Sequence, residues 1–183
     1  MTRSERHALR ALGEPTSSPS GPEAEETTNR STRHQPYVPL RDEQFIIRRT
    51  ISLEAPIERF WSAISDDREL EQWSPDHAAR WNLTPGGSGV FTWNGKDAFP
   101  IRVEAVNTPT YLAWTWGHEN GSPGVTLVEW ELEPRRQRTR LSFTESGIVT
   151  ADHHTENSQG WDEELAELVD YVSRGPRQRD RQC

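Results

Sequence analysis

The chain has a single cysteine, Cys183, and it is the last residue. An intramolecular disulfide and a cysteine-cluster metal site are thereby excluded. Long apolar runs are also missing. Nothing approaches the roughly 20 residues that cross a bilayer. The opening stretch MTRSERHALRALGEP carries arginines but no continuous apolar segment, so it does not read as a secretory signal. Basic charge is in deficit, with 21 Lys and Arg against 29 Asp and Glu and a net charge of -8. A general nucleic-acid binder needs a basic face to neutralise phosphates, so nucleic acid is not an expected partner. These absences lead to an expectation of a cytoplasmic protein with no membrane partner.

Apolar residues are scarce as well, at 32% of 183, which is low for a globular chain. The scarcity is concentrated at the two ends. Residues 1–43 are rich in Ser, Thr, Pro, Glu and Arg, with sparse and aperiodic apolar positions. Such a segment cannot offset its ordering entropy by burial, and it reads as a disordered, solubilising tail. A partner-binding arm is the functional alternative. Residues 174–183 are basic, follow a Gly-Pro break and read as a second tail. One domain over 44–173 remains.

What this domain does have is tryptophan, eight in all. FIIRRTISL alternates, placing Phe45, Ile47, Ile51 and Leu53 on one face of a strand, with Arg49 interrupting that face. APIERFWSAIS follows. Pro56 suits a first helical position, and Ile57, Phe60, Trp61 and Ile64 form one helical stripe. Asp66 and Glu69 have capping-box spacing and open a second short helix carrying Leu70 and Trp73. The period then becomes two. WNL, VFTW, AFPIRVEAV, YLAWTW, VTLVEWELE and RTRLSFTE read as successive strands, punctuated by Pro85-Gly86-Gly87, Asn94-Gly95, Asn107-Thr108-Pro109, the 117–124 loop and Pro134. From about His153 to Val172 the pattern is helical again. Trp161, Leu165, Leu168 and Val172 share a stripe, and Gly160 lies inside it. The expected fold class is therefore α+β: a strand, two short helices, about six further strands in an antiparallel meander, and a long terminal helix covering the sheet.

The alternation also assigns faces. Phe91 with Trp93, Leu112 with Trp114 and Trp116, Val128 with Trp130 and Leu132, and Leu141 with Phe143 point the same way, toward the stripe around Trp161. A packed aromatic core and a ring-lined pocket give this same pattern.

Six stretches, in order, resemble one family: APIERFWSAISDDRELEQW, LTPGGSGVF, VEAVNTPTYLAWTW, VEWELEP, RTRLSFTESG and GWDEELAELVDYV. It is the group of homologues of the C-terminal domain of the heat-shock protein 90 ATPase activator, in the START-like (SRPBCC) superfamily. The resemblance covers about residues 45–173. It implies a helix-grip fold, a curved antiparallel sheet of about six to seven strands around the terminal helix, with a hydrophobic cavity between them. It does not fix a function, because fold alone does not choose one.

Three function classes follow. The first is binding of a small apolar or amphipathic molecule, with Trp73, Phe91, Trp93, Trp114, Trp116, Trp130, Phe143 and Trp161 as walls and Arg49, His154 and Asn157 as polar handles. The second is a co-chaperone-like module whose partner is a chaperone or other protein. The third is a cyclase- or dehydratase-type enzyme, which needs an acid–base pair such as Glu145 with His154. Each polar candidate has a structural alternative. Arg49 can snorkel from a strand end, His154 can be a solvated helix-start residue, and Glu145 reads as a strand-end carboxylate facing water. Asp152, His153, His154 and Glu156 have no recognised metal-ligand spacing. No phosphate loop, nucleophile elbow or Cys–His pair appears. No catalytic residue, metal or cofactor is assigned.

Overall fold

The computed structural model describes residues 45–74, 78–93, 97–116 and 125–174. The N-terminal tail, the Asn94-Gly95 turn and the 117–124 loop expected above lie outside those residues, as does everything after Arg174. Ten elements follow one another. Strand β1 (Phe45–Leu53) leads into helices α1 (Ile57–Ser65) and α2 (Asp67–Trp73). Six strands come next: β2 (Ala78–Trp81), β3 (Ser88–Trp93), β4 (Asp97–Asn107), β5 (Tyr111–Trp116), β6 (Thr126–Arg135) and β7 (Arg138–Ile148). Helix α3 (Ala151–Arg174) ends the described chain.

The local chemistry explains the boundaries. Asp66 caps α2 by accepting hydrogen bonds from the backbone N–H groups of Arg68 and Glu69. Glu69 does not complete the reciprocal box. Its carboxylate instead accepts from Arg59 and, at 2.6 Å, from the Tyr171 hydroxyl. Helix α3 begins two residues before the apolar stripe suggests, because Thr150 Oγ1 accepts from His153 N at 3.2 Å and so caps the first turn. In the Pro-Gly-Gly turn, Gly86 has φ 83°, and Gly86 N and Gly87 O each bond to Val103 of β4. A Cβ on Gly87 would stand 2.1 Å from the Asn82 carbonyl oxygen, so this turn has no room for a side chain.

The seven strands form one sheet in the order β1-β7-β6-β5-β4-β3-β2. Every neighbouring pair is antiparallel. Register shifts between Phe45 and Ile47 and between Val103 and Ala105 mark irregularities that bend strands. The inward face meets α3, whose Trp161, Leu165, Leu168 and Val172 are all buried, together with Phe60, Ala63 and Ile64 of α1.

Polar clamps fix α3 to its neighbours. Arg49 of β1 bonds Asp162 at 2.6 Å and Ser158 at 2.7 Å. Ser74 at the end of α2 bonds Glu164. The Arg59 guanidinium of α1 lies 4.2 Å from the centre of the Tyr171 ring.

Candidate functional site

Strands β5, β6 and β7 are adjacent, so their inward aromatic residues converge. Trp130 lies opposite Phe143 in the β6–β7 register, and their rings are 4.9 Å apart between centroids. Trp161 of α3 closes over both, at 5.9 Å from Trp130 and 4.4 Å from Phe143. Toward the other side, Trp114 is 5.6 Å from Trp130, and Phe91 is 5.2 Å from Trp116. Most of these contacts are edge-on or tilted, as ring quadrupoles favour. The rings form a continuous array across the sheet.

Two polar features interrupt this apolar face. The first is Glu145, placed between Val128 of β6 and Ile47 of β1 by the sheet register. It is 2% exposed. Its carboxyl accepts from Thr126 Oγ1 at 2.7 Å and from Trp161 Nε1 at 2.7 Å. The Asn157 amide nitrogen stands 3.3 and 3.4 Å from its two oxygens. Burial pushes the Glu145 carboxyl above the usual glutamate range, while the three donors pull it back. The expectation of a water-facing strand-end carboxylate is thus corrected. β7 continues to Ile148, and α3 crosses over Glu145.

The second feature is a pair of indole donors. Trp114 Nε1 and Trp130 Nε1 are buried and have no hydrogen-bond partner among the described residues. An unmet buried donor costs about 1–3 kcal/mol, and each such group calls for an explanation.

The anticipated site residues divide accordingly. Phe91, Trp114, Trp116, Trp130, Phe143 and Trp161 are brought together, and Asn157 joins them through Glu145. Arg49 is half-buried with its guanidinium engaged by Asp162 and Ser158. His154 packs its ring against Phe45, 5.6 Å away, at the β1 edge, and it does not bond Glu145. Trp73 is buried between the short helices and donates to the Ala63 carbonyl at 2.9 Å. The side chain of Trp93 lies outside the described residues. Two contributors were missed. Trp81 packs 5.4 Å from Trp114, and Thr126 supports Glu145. The inward parity of Thr126, two residues before Val128, was the available signal. Among the described residues, no group of three or more His, Cys, Asp or Glu is arranged to hold a metal ion.

A seven-stranded antiparallel sheet closed over a long C-terminal helix defines the START-like, helix-grip class. Within it, the chain belongs to the family described as Activator of Hsp90 ATPase homolog 1-like protein, whose sequence model matches residues 54–173. No curated protein sequence matches. Among solved structures, the protein MLL2253 from Mesorhizobium loti is 18% identical, with a TM-score of 0.64 over 72% of this chain and 98% of that one. CalU16 from Micromonospora echinospora is 25% identical, with a TM-score of 0.55 over 70% of this chain and 74% of that one. The Aha1 dimer from Colwellia psychrerythraea is 20% identical, with a TM-score of 0.62 over 71% of this chain and 97% of that one. No described helix is long and apolar enough to cross a membrane.

Proposed function

We propose that the domain binds a small hydrophobic or amphipathic molecule between the inward sheet face and α3. One observation carries this reading: a buried polar cluster, Glu145 with Thr126, Asn157 and Trp161, is set into an aromatic face. Ligand sites combine apolar walls with a few placed polar groups in this way. On the β5 side, the Trp116 ring stands 6.4 Å from the ring of Trp161 in that cluster.

The test is native mass spectrometry of the purified protein before and after solvent extraction, joined to an NMR titration with ethylbenzene. A discrete, removable adduct and movement of the indole signals are expected. Trp116→Ala should reduce both while the protein stays folded. No adduct together with unmoved indole signals would overturn the reading.

A second reading is contact with a chaperone or another protein. It is favoured by the family's description as an activator of a chaperone ATPase and by the dimeric state of the Colwellia relative. Adding the purified protein to an Hsp90 ATPase assay tests it, and an unchanged rate would count against it. The cyclase-type reading has no such support. It relied on Glu145 with His154, and the two are not paired.

A further inference from the structure

Two buried indole donors on the inward face stand without an acceptor among the described residues. Trp161 Nε1, Asn157 Nδ2 and Thr126 Oγ1 all converge on Glu145. Trp73 and Trp81 donate to the carbonyls of Ala63 and Ser65. Trp114 and Trp130, 2% and 1% exposed, donate to no acceptor among the described residues. They are neighbours on adjacent strands, with ring centroids 5.6 Å apart and planes 30° from parallel. Indole is a donor only, so rotating the ring cannot convert either group into an acceptor.

We infer that the occupant of this site is a neutral molecule carrying an uncharged acceptor, a ketone, ester or amide carbonyl, which takes the N–H of Trp114 or Trp130. This rests on the ligand-binding reading above and narrows its chemistry. A carbonyl oxygen has two lone pairs and no hydrogen. It therefore satisfies indole donors without bringing a donor of its own into apolar surroundings. Water is a poorer match, because it carries two hydrogens that would need acceptors among the rings.

An anionic ligand is disfavoured on two further grounds. Arg49, the cation on the inward side of β1, is already held by Asp162 and Ser158. The buried carboxyl of Glu145 is one ring away from Trp130, through Trp161. A second carboxylate here would lose its hydration with no cation to replace it.

Three probes of nearly one shape separate the outcomes: acetophenone, ethylbenzene and benzoate. Each is titrated into the full chain, and the indole N–H signals are followed by NMR. Acetophenone is expected to move the Trp114 or Trp130 N–H downfield relative to ethylbenzene. Benzoate is expected to bind more than about tenfold more weakly than acetophenone. Trp114→Phe and Trp130→Phe keep a ring and remove the donor. At least one should lower the acetophenone-to-ethylbenzene affinity ratio by roughly three- to tenfold, the worth of one neutral hydrogen bond. Where a variant does not fold, the wild-type spectra carry the test alone.

Ethylbenzene binding with no downfield shift for acetophenone, an unchanged ratio in both folded variants, or benzoate binding tighter than acetophenone would overturn this inference and leave ligand binding intact. Failure of every probe to perturb the indole signals would overturn the ligand-binding reading and this inference with it.

Discussion

Removing the Glu145 carboxyl perturbs the seam between sheet and helix most directly. In Glu145→Ala the donors of Thr126, Asn157 and Trp161 lose their acceptor. Intramolecular hydrogen bonds are worth about 0.5–1.5 kcal/mol each. Water entering the vacated space and relief of the buried carboxyl both offset the loss, which leaves a destabilisation of about 3 kcal/mol. At a urea m-value of about 2 kcal/mol/M, the unfolding midpoint falls by about 1.5 M.

Glu145→Gln behaves differently. Its oxygen can accept from Trp161, and its amide can donate to a rotated Thr126 hydroxyl and to a flipped Asn157. The expected change is within about 1 kcal/mol. Glutamine also does not titrate. Burial raises the Glu145 carboxyl above its ordinary value of 4.5, so the folded state holds that proton more tightly than the unfolded chain does. The contribution of Glu145 is therefore complete below that ordinary value and is lost as pH rises through the folded-state pKa. Urea titrations of both proteins between pH 4 and about 8 should show wild type losing stability relative to Glu145→Gln as pH increases. Wild type gaining stability relative to Glu145→Gln as pH increases, or an alanine variant as stable as wild type, would refute the assignment of Glu145 as a buried seam residue.

The Arg49–Asp162 pair has side chains 31% and 57% exposed, so it should contribute only about 0.5–1 kcal/mol. A double-mutant cycle with Arg49→Met and Asp162→Asn should give that coupling, and added salt should shrink it. Gly89→Ala would place a Cβ 2.5 Å from Trp81 Cβ and 2.9 Å from the Arg80 carbonyl oxygen. It should destabilise the domain by about 2 kcal/mol through forced separation of β2 from β3, read as a lowered thermal midpoint. Asp66→Ala removes the α2 cap and should cost about 1 kcal/mol by urea titration.

Strand periodicity placed Phe91, Trp114, Trp130 and Phe143 on one face correctly, because a two-residue period leaves little choice of side. The change of period gave the element order, and the Asp66–Glu69 spacing gave the cap at Asp66, though Glu69 turned to Arg59 and Tyr171. Depth was harder to read. Glu145 has the same inward parity as Leu141 and Phe143, yet its burial depends on a helix that crosses it sixteen positions later. Arg49 shows the same limit. Its inward parity was legible, but Asp162 is far along the chain, and no local pattern joins them. The unmet donors of Trp114 and Trp130 follow from three-dimensional packing alone. His154 was expected on the cavity side by helical spacing. Instead it sits against Phe45, because the first turn of α3 passes over the β1 edge.

The pairing of β1 with β7 bears on how the chain is made. β1 is the first strand of the domain to be synthesised, and its hydrogen-bonding neighbour is the last. Phe45, Ile47 and Ile51 must wait without their partners while every other strand is translated. Contacts between such distant segments slow folding. During that wait α1 and α2 can form locally, but Arg49 has neither β7 beside it nor Asp162 above it. A nascent chain released before Ile148 would therefore carry an open sheet edge and an uncovered aromatic face, and would be a natural client for chaperones and proteases.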